Sequence, residues 1–206
     1  MARHCTDAGL IEKAAGLWGR AGQRSVERSA LAEAAEQLTR ALEQIASLPA
    51  TPALRREEIK FQAALITPLV HVKGFAAPET KVAADRARLL IEQAEALGEP
   101  SEDPLLLFSV FYGIFVTNLV AFKGDVVRAL AAQVLTLAEK QKASFPLVLG
   151  HNFLGHSLIL TGDMTEGRTH LDQAIALYDP SAHRRLATRF GEDQRVPSLC
   201  FRSSAL

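Results

Sequence analysis

Cysteine is scarce: Cys5 and Cys200 are the only two in 206 residues, near opposite ends of the chain. Two thiols so placed give neither a thiolate metal spacing nor a secreted disulfide framework, so a reducing cytoplasm is the expected compartment. Aromatic residues make up 6% of the chain, which disfavours base-stacking platforms for single-stranded nucleic acid. An excess of either charge is missing too. Lys and Arg total 23, against 23 Asp and Glu. That balance leaves no electrostatic footprint for nucleic acid and no basic cluster for acidic lipid. The opening "MARHCTDAG" has no apolar core, so no signal peptide is expected.

What the chain does contain is apolar, at 48%, with 22% charged, a globular composition. The longest uncharged run is "PLLLFSVFYGIFVTNLVAF" at 104–122, 19 residues, and 143–162 is a second. By length alone such runs could cross a bilayer. Ser109, Thr117 and Asn118 interrupt the first, and Pro146, His151, Asn152 and His156 the second. Neither run has the flanking Lys/Arg asymmetry of an oriented span. The inner layer of a helical stack accounts for both, and no membrane association is expected.

Apolar residues recur at three- and four-residue spacing nearly everywhere, and no segment alternates as a strand would. Turn residues fall at 49–52, 74–78, 98–104, 124–125, 162–163 and 179–180. Helices are therefore expected at about 8–28, 30–47, 53–73, 78–97, 104–122, 125–141, 145–161, 164–178, 181–189 and 194–204. They pair on the tetratricopeptide template, which wants a large residue at position 4, Leu-Gly at 7 and 8, and a turn at 15. Small or apolar residues follow at 20, 24 and 27. His151, Leu154, Gly155, Leu158, Gly162, Gly167, Leu171 and Ala174 fit it, as do Trp18, Ala21, Gly22, Ser25, Ser29, Ala34, Leu38 and Ala41. The middle copies, aligned on Gly74 and Gly124, fit less well. Position 4 then falls at 18, 63, 113 and 151, separations of 45, 50 and 38 against a usual period of about 34.

Catalytic motifs are absent. His151 and His156 are five apart and diverge on a helix, unlike the four-residue spacing that grips zinc, so these two and His170 read as packing residues with no metal site. "GHSLI" at 155–159 has Ile159 where a nucleophile elbow needs glycine, which removes Ser157. "GLWGRAGQR" is neither a dinucleotide nor a Walker loop, and no cofactor is implied. Asp163 in "DMTE" reads as a helix cap, and "RREE" at 55–58 as a solvated face. The informative polar residues lie on the first helix of each pair, which lines the concave side of such arrays. They are Gln23, Phe61, His71, Phe111, Asn118, Asn152 and His156, a candidate groove for a peptide, protein segment or small effector.

Three phrases, "AGLIEKAAGLWGRAGQRSVERSALAEAAEQLTRALEQIASLP" at 8–49, "KGFAAPE" at 73–79 and "LDQAIALYDPSAHR" at 171–184, carry a family likeness. They resemble the C-terminal tetratricopeptide region of large bacterial ATPase/adenylate-cyclase-like signalling proteins, from about residue 4 onward. The likeness breaks at "AALITPLVHV", where Ile66-Thr67 replaces the Leu-Gly step. In that family a cyclase domain and an ATPase module precede the array. None of their catalytic residues has a counterpart here, so the resemblance implies the scaffold alone.

The expectation is thus an all-α chain, a tetratricopeptide-like right-handed superhelix of about four to five hairpins. It forms one domain over 1–206, with its last hairpin incomplete near 194–206. Its function is non-enzymatic binding of a protein or peptide partner, with self-association through the exposed C-terminal end. The alternative is a regulatory module acting on ATPase or cyclase domains in cis.

Overall fold

A computed structural model describes residues 1–99 and 102–205. Among these the chain is all helical, with no strand. It divides into two compact units, Met1–Gly113 and Ile114–Leu206, with the boundary inside one helix.

The first unit contains α1 (Ala2–Asp7), α2 (Ile11–Glu27), α3 (Leu31–Ala46), α4 (Pro52–Lys73), α5 (Pro78–Ala96) and the start of α6 (Leu106–Val120). From α1 to α5 each helix packs on the next, and α2 also meets α4. Two helix starts are set by proline at the first position, whose missing N–H costs nothing there. At α4, Thr51 Oγ1 also accepts the Leu54 N–H at 3.2 Å. The turn expected at 98–104 lies partly outside the described residues, at 100 and 101.

The second unit contains the rest of α6, then α7 (Gly124–Gln141), α8 (Ser144–Leu160) and α9 (Met164–Leu177). The short α10 (Pro180–His183), a 3-10 turn (Arg184–Leu186) and α11 (Ala187–Phe190) follow, and α12 (Arg195–Ser204) comes last. Helix α8 packs against α7, α9 and α12. Being covered from three directions, it buries residues all round its circumference. That accounts for its uncharged sequence. Among the described residues no helix is long and apolar enough to cross a membrane. Helix α6 has 15 residues, about 22 Å against a hydrocarbon layer of about 30 Å.

One turn recurs. After α1, α2, α5, α6 and α8 a residue with positive φ reverses the chain: Gly9, Ser29, Gly98, Phe122 and Gly162. In each, the N–H of the following residue returns to the carbonyl five back, as in Ala30→Ser25, Lys123→Asn118 and Asp163→Leu158. This closes the helix end and satisfies its last carbonyls. Phe122 is the costly member, at φ 53 and 86% exposed. Its left-handed backbone is strained by about 1–2 kcal/mol, and its ring gains no burial. Phe122→Gly is therefore expected to stabilise the second unit by about 1 kcal/mol, seen as a higher denaturation midpoint.

Three departures from the sequence reading have physical causes. The expected first helix, 8–28, breaks at Gly9 and gains α1 before it. The turn expected at 124–125 centres on Phe122 instead, and Gly124 is already helical as the first residue of α7. The expected helix 181–189 is three short pieces around the 3-10 turn.

With the turns correctly placed, one burial stripe repeats. Buried residues at i, i+4, i+7 and i+11 run Ala34, Leu38, Ala41, Ile45 on α3 and Thr80, Ala84, Ala87, Ile91 on α5. They run Val127, Ala131, Val134, Ala138 on α7 and Gly167, Leu171, Ala174, Tyr178 from α9 into its cap. Glycine then sets how closely the preceding helix approaches. A Cβ on Gly22 would lie 2.6 Å from Leu38 Cγ, and one on Gly155 would lie 2.6 Å from Leu171 Cγ. At the α8–α9 crossing the backbones themselves touch, since a Cβ on Gly167 would stand 2.9 Å from the Gly155 carbonyl oxygen.

Candidate functional site

The seven groove candidates separate by burial. In the first unit, Gln23 on α2 is half-buried and His71 on α4 is exposed. The His71 Nδ1 lies 2.9 Å from the Thr67 carbonyl. Phe61, 1% exposed, points its ring at Gly19, and Phe111 is buried with the Arg88 guanidinium 6.0 Å from its ring centre. In the second unit, buried Asn118 donates from Nδ2 to the Ile114 carbonyl at 2.7 Å, satisfying itself within α6. Asn152 and His156 alone share a neighbour, α12.

Asn152 is wholly buried, with both amide atoms in use. Its Nδ2 donates to the Gln194 carbonyl at 2.9 Å, and its Oδ1 accepts from the Ser198 hydroxyl. Ser198 Oγ also lies 2.8 Å from the Gln194 carbonyl. A side-chain amide that spends both ends this way fixes the start of α12. One turn along α8, the His156 ring packs on Phe201 with centroids 4.1 Å apart. Phe115 stands 6.4 Å away and itself stacks on Phe153 at 4.0 Å.

His156 Nε2 is buried without a hydrogen-bond partner. Burial lowers the ring to about 4, against an opposing backbone hydrogen bond with Pro197. The imidazole is neutral at pH 7, and among the described residues no carboxylate acts on it. This corner grips a helix through an amide and an aromatic ring.

Spacing could not reveal a second polar pair. Ser144 Oγ at the start of α8 lies 3.0 Å from His183 Nε2, which looks like a nucleophile and its base. The other ring nitrogen excludes that. His183 Nδ1 accepts the Asp179 backbone N–H at 3.1 Å, so the neutral ring carries its proton on Nε2 and donates to Ser144. A base must accept there instead. Burial also lowers His183, with Asp179 opposing. The pair ties α10 to α8. The sequence marked the 179–180 turn but gave no sign of Ser144, 39 residues away.

A third pair joins α8 to α9: His151 Nδ1 and His170 Nδ1 are 2.9 Å apart, with ring centroids at 5.2 Å. The divergence of His151 from His156 is thus real, and His151 is matched across the hairpin.

No protein-family model matches the chain, and neither a curated protein nor a solved structure matches it.

Proposed function

We propose that the chain is a non-catalytic, tetratricopeptide-like scaffold that binds a protein segment or peptide on the inner face of its first helices. One observation carries this reading. The Gly22–Leu38 and Gly155–Leu171 interlocks have the same sequence spacing and nearly the same geometry, with a built Cβ meeting Leu Cγ at 2.6 Å in both. That is the small-into-large packing by which repeated hairpins stack into an array. The repeating stripe on α3, α5, α7 and α9 supports it as well.

The ligand class follows from what already occupies the inner face. In the second unit, Asn152 and His156 hold a helix that offers a backbone carbonyl, a hydroxyl and an aromatic ring. In the first unit, Gln23 and His71 keep side-chain surface free and are assigned to the partner. A preformed surface of this kind binds with little ordering cost.

The test is capture on the immobilised full chain, identification by mass spectrometry, and calorimetry with the purified partner. A Gln23→Ala/His71→Ala variant is expected to weaken binding by about tenfold or more while folding normally. An unchanged affinity rejects the groove assignment, and turnover of any bound molecule rejects the non-catalytic reading.

A further inference from the structure

We propose that the face of α8 around Asn152 and His156 is a docking site for an amphipathic helix of a protein partner, and that α12 is a resident occupant which such a helix displaces. The partner's helix carries a small hydroxyl residue and, three residues later, an aromatic ring with a hydrogen-bond donor on it. This extends the scaffold reading to a second surface, on which it rests for the role of α8 as the first helix of its pair, and it does not involve Gln23 or His71.

The receiving side is buried and polar, whereas the occupant is shallow. Asn152 and His156 are 0% and 5% exposed. Of the ten residues of α12 only Ser198 is buried, and Val196 and Leu199 are 53% and 46% exposed. The Gln194 carbonyl and the Ser198 hydroxyl tie it to Asn152, and the exposed Arg202 guanidinium ties it to Asp172. A short helix with so little buried surface lies at the low end of local stability and opens without unfolding its unit.

The fit of α12 is also incomplete. His156 Nε2 is buried without a hydrogen-bond partner, in a ring packed on Phe201. Proline has no N–H, so the hydrogen bond between the imidazole and the Pro197 backbone goes to its carbonyl. The other nitrogen, Nδ1, therefore carries the proton, and Nε2 presents a lone pair that a benzyl ring cannot meet. Leaving a buried acceptor unpaired weakens the docked state by about tenfold. An indole N–H in place of the Phe201 ring meets it and keeps the aromatic contact, so a helix so equipped outcompetes α12.

The 15N-labelled full chain is titrated with unlabelled peptides of residues 192–205 and followed by NMR. A peptide of the native sequence competes with a tethered copy at an effective concentration of about 1 mM, so half-displacement is expected near that value. The amide signals of 195–204 in the chain should then stand halfway to their unstructured positions. A Phe201→Trp peptide should reach the same point at about 0.1 mM, and adding Ser198→Ala to it should raise that midpoint at least about fivefold. Signals of 195–204 that stay in place below about 5 mM of every peptide overturn the proposal. So do a Phe201→Trp peptide no better than the native one and a midpoint indifferent to Ser198→Ala. Only the peptides are altered, so folding of the chain is not in question. Gln23→Ala/His71→Ala in the chain should leave the displacement unchanged, which reads this site separately from the first-unit face. A displacement weakened by that variant places the peptide on the first unit and refutes the α8 site.

Discussion

Gly19→Ala is expected to cost the first unit about 2–3 kcal/mol, although alanine favours an α-helix over glycine by about 1 kcal/mol. A Cβ built on Gly19 falls 1.9 Å from Phe61 Cζ and 2.4 Å from both Cε atoms. These separations are far inside van der Waals contact. Phe61, 1% exposed, has no solvent to swing into, so α2 and α4 must part or the ring must leave its rotamer. Gly16, one turn earlier on α2, supplies the contrast. Its added Cβ would meet only the Arg20 guanidinium, at 3.3 Å. That flexible group moves aside, and Gly16→Ala should gain up to about 1 kcal/mol.

Denaturant unfolding of the two variants should therefore shift in opposite directions. A double-mutant cycle isolates the cause: Phe61→Leu removes the ring tip, so Gly19→Ala should cost at least about 1 kcal/mol less in that background. Additive losses would mean that the ring is not what Gly19 accommodates.

Acid should loosen the second unit as pH falls from 6.5 toward about 4. His156 titrates at about 4 in the folded chain against an ordinary 6.5. The folded state thus binds the fewer protons. The sign follows: the stabilising contribution is complete above pH 6.5, declines as pH falls, and is gone below about pH 4. Its size is on the order of 3 kcal/mol. His151, His170 and His183 are also lowered, each chiefly by burial, and act in the same direction.

His156→Phe keeps a ring against Phe201 and removes the titration. Between pH 6.5 and 4.5 this variant should lose less stability than the unmodified chain, as read from denaturant midpoints across that window. Parallel pH profiles would show that His156 is not the responsible group. The first contacts to fail should be those of α12, because Phe201 and the Pro197 backbone both belong to it and face this ring.

The helices were legible because each carries its own signal. Pro52 and Pro78 announce helix starts, and Gly98 and Gly162 sit where left-handed backbone is needed, whereas Gly9, also left-handed, was read as part of a helix over 8–28. Ser29 and Phe122 adopt that conformation without the residue that advertises it. The turn at Phe122 was accordingly read two residues late, at Gly124. The paired hairpins were visible at both ends because Gly22 and Gly155 stand sixteen residues before Leu38 and Leu171. At α6 and α7 the sizes are exchanged. Phe115 stands where glycine stood, and Ala131 replaces the leucine. A template that asks for glycine and leucine at these two positions misses a buried phenylalanine and a buried alanine there.

The candidate site was legible only as a set of polar residues on apolar helices. Asn152 and His156 belonged on that list because an amide and an imidazole on a buried face must be answered by something. What answers them, Ser198 and Phe201, lies more than forty residues away and resembles any other serine and phenylalanine. Local periodicity and the helix-ending residues thus determined by themselves that this chain is helical and where most of its turns fall, those at Gly9 and Phe122 excepted. The tertiary structure decided which histidine meets which, that His183 donates a hydrogen bond to Ser144, and that α12 packs against α8 and α9. Those outcomes depend on helices remote in sequence coming within a few ångströms, a distance that no short window of residues encodes.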